Sequence, residues 1–237
     1  MKNIYSCLII LTFFASCTQD EKADQETNPD LSNKGGGDIL PAYSTNPYDN
    51  AGRIYDEIFD AYYDGSSRPN DVTSVVAQVE TIANANTSFA ALNVGYQPLV
   101  TERIEYLAGK GSVDIGAIIG ASNLSPLAKT SFSNFLITMV SLYEAETDAT
   151  KIANVVIKYE ETVIGNALLG DNDKRVILTS TSILRFSAYR AKRKPKKNTD
   201  PDWLIWVTHV YGAEEGAEEN LEKAILMGLV TGIVSNK

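Results

Sequence analysis

Carboxylates are the side chains in this sequence whose spacing comes closest to a chemical device. Asp56, Asp60 and Asp64 recur at four-residue steps with Glu57 beside them. On a helix that spacing stacks like charges on one face, at roughly 0.2 to 0.5 kcal/mol per pair. A calcium ion or a basic partner would offset the repulsion, and Asp49 with Arg53 would dilute it by pairing. A solvated helix face is the commoner use of such a pattern. Two acids could also serve as the acid and base of a glycoside hydrolase, which sets them about 5 to 9 Å apart across a sugar-sized cleft. Asp171-Asn172-Asp173 has the look of a calcium loop for three residues only, because Lys174-Arg175 follows and the loop glycine is missing.

Other catalytic chemistry is poorly supplied. His209 is the single histidine, and a half-buried ring with its hydrogen bonds made is the ordinary expectation for it. Neither a Gly-x-Ser-x-Gly elbow nor a Ser-x-x-Lys signature occurs, the His and Cys ligands of a zinc site are lacking, and so is a phosphate-binding glycine loop. No catalytic residue, metal site or cofactor is expected.

The sharpest run of charge is Arg190-Ala191-Lys192-Arg193-Lys194-Pro195-Lys196-Lys197. As an interaction patch, Arg190, Lys192, Arg193, Lys194, Lys196 and Lys197 would suit lipopolysaccharide phosphates or the acidic cluster of Glu214, Glu215, Glu218, Glu219 and Glu222. As a plain helix end, the cations oppose the negative pole of the helix dipole. Nucleic acid is not an expected partner: no aromatic side chains are interleaved for stacking, and the chain carries a net charge of −9. Twelve tyrosines include Tyr43, Tyr48, Tyr55, Tyr62 and Tyr63, a density found on glycan- and protein-binding surfaces, although helical spacing makes most of them core or boundary residues.

The elements that must position these groups read as helices. Asn46-Pro47 is an N-cap and first-turn proline, followed by Tyr48, Ala51, Tyr55, Ile58, Phe59 and Tyr62 at three- and four-residue steps. A second helix follows Asn70-Asp71, with Val72, Val75, Val76, Val79, Ile82 and Ala83 on one face. Leu99 to Leu107 predicts a helix, while Val113 to Ile119 fits a short strand or a helix. Ser125-Pro126 opens another helix that buries Ala128, Phe132, Phe135, Met139 and Leu142. Asp148 and Asp171 cap two more, the latter ending at Pro195. A short helix runs from Asp200-Pro201 to Gly212, and a last one from Ala213 to Ser235, in which Gly228 and Gly232 permit close helix contact. Ala224 to Val234 is apolar but far shorter than the roughly 20 residues that span a bilayer. The expected fold class is all-α, a single bundle of about six to eight helices.

The N-terminus addresses location. Lys2 precedes an apolar run, Leu8 to Phe14, closed by Ala15-Ser16-Cys17. That is signal-peptide anatomy. Small residues directly before a cysteine resemble a lipobox processed by signal peptidase II, with Phe14 standing where leucine is usual. The resemblance implies a diacylglyceryl thioether on Cys17 and an N-linked acyl chain such as palmitate, enough for stable anchoring. The plainer alternative is an ordinary secretory signal cleaved near Ala15, with Cys17 an idle thiol. Cys7 is the only other cysteine, so a processed chain has no disulfide and rests on its hydrophobic core.

The organisation expected is a signal peptide at 1–16, a flexible acidic tether at 17–45 and a helical domain at 46–237. Acidic residues just after Cys17 resemble the export signals of Bacteroidota surface lipoproteins, and Asn46-Pro47-Tyr48-Asp49 with Gly52 resembles the domain start of uncharacterised secreted proteins from that phylum. These resemblances imply a lipid-anchored protein of the bacterial outer membrane, surface exposed. Three functions stay open: a non-enzymatic binding or scaffolding domain for an envelope protein or glycan, a carboxylate-dependent hydrolase of envelope polymers, and an immunity or interaction lipoprotein.

Overall fold

Side-chain caps explain where five of the ten α-helices begin in the computed structural model, which describes residues 41–92, 95, 98–193 and 203–236. The order is α1 (Asp49–Asp64), α2 (Val72–Ala85), α3 (Thr87–Ala90), α4 (Thr101–Ala108), a 3-10 turn (Ser112–Asp114), α5 (Ile115–Ala121), α6 (Pro126–Ala145), α7 (Ala149–Gly165), α8 (Asp171–Arg193), α9 (Trp203–Glu219) and α10 (Leu221–Ser235). The fold is all-α, with ten α-helices and no strand among the described residues. Asp71 accepts from the Ser74 amide at 2.8 Å, Ser125 from Ala128 at 3.3 Å and Asp148 from Thr150 at 2.8 Å, each satisfying an amide that the first turn leaves without a partner.

Two boundaries differ from expectation, and the open choice of strand or helix for Val113 to Ile119 falls to helix. Asn46 is not the cap of α1: its carboxamide oxygen turns back to the Tyr48 amide at 2.8 Å and its nitrogen donates to the Leu178 carbonyl at 3.0 Å, so the helix starts at Asp49. Val113 to Ile119 is helical, a 3-10 turn leading into α5. The last two helices divide at Asn220, whose side chain accepts from the Lys223 amide at 2.8 Å, and not at Gly212. Gly212 lies inside α9, where a Cβ would run into the Met227 carbonyl of α10. The two helices lie against each other at backbone distance there.

Helices α8 and α10 are the interior of the bundle. In α10 every residue from Glu222 to Ile233 is buried, and no helix among the described residues is long and apolar enough to cross a membrane. In α8 the stretch from Val176 to Tyr189 is buried all round, including Thr179, Ser180, Thr181 and Ser182. Ser180 donates to the Val176 carbonyl at 2.8 Å and Ser187 to Leu184 at 3.1 Å, which lets hydroxyls sit in a core without remote partners.

One charged residue lies at the centre of this core. Arg185, wholly buried, donates to Glu160 of α7 at 3.1 Å, to Asp49 of α1 and to the Pro41 carbonyl. Burial raises the Glu160 carboxyl above its ordinary value against the pull of Arg185. Residues 41–45, which the sequence assigns to the tether, are thereby part of the folded unit; Tyr43 also donates its amide to Asp49 at 3.0 Å.

Candidate functional site

The apolar stride of α9 passes through Val207, Val210 and Tyr211 and then places Glu214 on the same buried face, ahead of Ala217. Glu215, Glu218 and Glu219 follow within the next turn and a half. Gly216, between them, meets the Lys223 carbonyl and the Ala224 backbone so closely that any side chain would collide, which fixes this end of α9 against α10. Arg175 of α8 donates to the Ala217 and Glu218 carbonyls, the latter at 3.1 Å, and so occupies the helix terminus.

These glutamates line a pocket of about 360 Å³, closed on the other side by Arg103 of α4, by Ile118 and Ala121 of α5, and by Ser122 and Asn123. Its size falls within the range of small-molecule sites. Three of the four acids are engaged. Arg103 donates from Nε to both Glu215 oxygens at 2.8 and 2.7 Å and pairs through Nη2 at 2.6 Å. Asn123 donates its amide and its side chain to Glu218, the latter at 2.7 Å. Lys223 pairs with Glu219.

Glu214 is different. It is 2 % exposed, and its Oε1 has no hydrogen-bond partner among the described residues. Burial, then the neighbouring charges of Glu218 and Glu215, push its carboxyl up to about 8 against the smaller pull of the Ser122 hydroxyl and Arg103. At neutral pH it is a carboxylic acid in the wall of the pocket, one helical turn from Glu218. A buried acid with an oxygen left unpaired is costly to the fold, and such groups concentrate at functional sites.

Glu214, Glu215, Glu218 and Glu219 of the acidic cluster singled out in the sequence thus line the pocket, and the other residues singled out there lie elsewhere. Arg190 is turned toward α1, where it binds Asp56 and Asp60 and lies over the Phe59 ring with its guanidinium 5.2 Å from the centroid. It supplies the compensation that the like charges of α1 call for, and Asp49 pairs with Arg185 and not with Arg53. Lys192 and Arg193 fall in the last turn of α8, but their side chains, like Lys194, Lys196, Lys197 and Cys17, lie outside the described residues. Glu215 and Glu219 take Arg103 and Lys223 as their cations.

His209 is 2 % exposed, with Nδ1 2.9 Å from the Tyr55 hydroxyl and 2.8 Å from the Gly228 carbonyl. A Cβ at Gly232 would overlap its ring, so that glycine is the space the imidazole fills. The small residues of α10 thus admit one aromatic ring. Asp173 accepts from the Ser125 amide at 2.9 Å and hydroxyl at 2.6 Å, and Asn172 from Arg175 at 2.7 Å, so the short calcium-like run holds α6 and α8 together. Among the described residues no group of three or more His, Cys, Asp or Glu is arranged to hold a metal ion.

Comparison with known proteins finds no matching family model, no similar curated protein and no similar solved structure. The site therefore rests on its own geometry.

Proposed function

We propose that this chain is a cell-envelope lipoprotein, acylated at Cys17 and held at the outer membrane, whose helical domain binds a small polar ligand in the Glu214 pocket without carrying out chemistry on it. The observation that carries the binding part is the buried Glu214 side chain in the wall of a pocket of ligand size, with Oε1 lacking a hydrogen-bond partner among the described residues. The lipobox-like Ala15-Ser16-Cys17 supports the anchoring part. Fixed hydrogen bonds hold Arg103, Asn123 and Glu218 in place before any ligand arrives, an arrangement that lowers the ordering cost of binding.

Ligand-observed saturation-transfer NMR of the full chain against a panel of amines, sugars and amino acids tests the binding part. At least one class gives saturable transfer, and Ala121→Trp, which fills the pocket from its exposed α5 wall, removes it. A panel without any transfer, or transfer unchanged by Ala121→Trp, counts against the reading. Metabolic labelling with a palmitate analogue tests the anchor: label that persists in Cys17→Ser overturns it.

A second reading draws on the same acid. A Glu214 whose carboxyl holds its proton, with the second acid Glu218 four residues on, offers the two carboxyl groups of a general acid and base, which suits hydrolysis of an envelope glycan. Release of reducing ends from isolated cell-envelope material, abolished by Glu214→Gln, would establish it in place of simple binding.

A further inference from the structure

The pocket's charge balance specifies a class of ligand. Resting on the binding reading above, we propose that the occupant is a short linear diammonium ion, one ammonium group on Glu214 and the other on Glu218, with its methylenes along Ile118 and Ala121. Four glutamate carboxyl groups line the pocket, and two have cations of their own: Glu215 has Arg103 and Glu219 has Lys223. Glu218 accepts only the uncharged donors of Asn123, and Glu214 Oε1 accepts nothing among the described residues. Two negative charges are therefore available to a ligand once Glu214 ionises.

Spacing and shape point the same way. Residues 214 and 218 are one helical step of four apart, about 6 Å along the axis, a separation that a four-carbon diamine bridges. An ammonium group brings three donors to a carboxyl oxygen that lacks one. Ile118, nearly buried, and Ala121 offer the pocket's apolar wall, which suits methylenes and not the hydroxyls of a sugar. The acidic surface of the chain attracts cations toward the mouth.

Binding by this route moves a proton. Glu214 is protonated in the empty pocket; an ammonium nitrogen at Oε1 stabilises the carboxylate, and the proton passes to the buffer. The charged groups that set this balance are Glu215, Glu218 and Glu219 of α9, Arg103 of α4, Lys223 of α10, and Arg175 of α8 at the adjoining carbonyls.

Isothermal titration of the full chain with 1,4-diaminobutane, n-butylamine and 1,4-butanediol, at pH 6.5 and 8.5 in two buffers of different ionisation heat, tests the inference. The diamine binds one to one, at least tenfold tighter than n-butylamine, and the diol gives no saturable heat. Close to one proton is released per diamine at pH 6.5 and about a quarter of one at pH 8.5, as follows for an acid titrating near 8. Glu214→Gln, which keeps the shape of the protonated acid, weakens the diamine at least tenfold and ends the proton release. Glu218→Gln brings the diamine down to the level of n-butylamine. Equal binding of diol and diamine, or undiminished binding in Glu214→Gln, overturns the diammonium class while leaving the pocket a binding site. Saturable heat that persists in Ala121→Trp places the diamine outside the pocket and overturns it too. Absence of saturable heat with all three probes overturns this inference, and the wider NMR panel then decides separately whether the pocket binds anything.

Discussion

Arg185 donates from Nε to Glu160 at 3.1 Å with both side chains wholly shielded from solvent. The pair joins α7 to α8, and the same guanidinium reaches Asp49 and the Pro41 carbonyl on the opposite side. Removing one partner leaves a buried charge uncompensated, so Arg185→Leu lowers unfolding free energy by roughly 3 to 5 kcal/mol in urea titrations. Glu160→Leu in the same background recovers part of that loss, because two apolar side chains can replace a buried ion pair. A double variant no more stable than Arg185→Leu alone would show that the contacts to Asp49 and Pro41, and not the pair with Glu160, dominate.

Arg190 is expected to be a stabilising residue of α1 in spite of its place in a basic run. Its guanidinium spans Asp56 and Asp60, a geometry that a lysine cannot reproduce. Arg190→Ala costs about 1 to 3 kcal/mol by chemical denaturation, and Arg190→Lys restores less than half of it. Full recovery by lysine would mean that charge alone matters there.

The same substitution should have opposite signs at two glycines. Gly232→Ala forces a methyl group into the His209 ring and lowers stability by about 1 to 3 kcal/mol or more. Gly116→Ala, in α5 with open space around it, raises stability by about 0.5 to 1 kcal/mol through lower backbone entropy in the unfolded chain. Thermal unfolding of the two variants beside the parent chain gives both signs in one experiment.

Stability falls as pH rises across the Glu214 transition. The native carboxyl holds its proton up to about 8, whereas in the unfolded chain it is released near its ordinary 4.5, so between those values the native state binds the extra proton. Each pH unit in that window removes about 1.4 kcal/mol. Glu214→Gln does not titrate and loses this share of the slope, becoming more stable than the parent chain near pH 8. Parallel stability curves for the two proteins from pH 5 to 8 would contradict the buried, protonated state.

Legibility in the sequence followed locality. Asp71, Ser125 and Asp148 cap helices through bonds to amides no more than three residues away, so the pattern that predicts them is complete within a few positions. The division at Asn220 was harder to read, since a glycine such as Gly212 serves equally to end a helix or to let another approach. The burial of α8 is hidden because Thr179 to Ser182 look like a surface, and the bonds of the Ser180 and Thr181 hydroxyls to the helix's own carbonyls leave no trace in apolar spacing.

The pocket was legible in part. Glu214 falls on the stride set by Val207, Val210 and Tyr211, as Glu160 does on that of Ile152 and Val156, and an acid at a core position is a readable sign of a special environment. In the sequence the acidic cluster reads only as a mate for the basic run. Nothing near Arg103 or Asn123 in the sequence links them to residues 214–219, because that link is made by packing α4 and the end of α5 against α9.

The grip of Arg185 on the Pro41 carbonyl also has a mechanical meaning. A pull on the chain ahead of Pro41 does not begin by peeling a surface helix; it loads α8, the most enclosed element, through one guanidinium that α7 braces from behind. Tension entering the domain at Pro41 is therefore met by the core before any outer helix bears it.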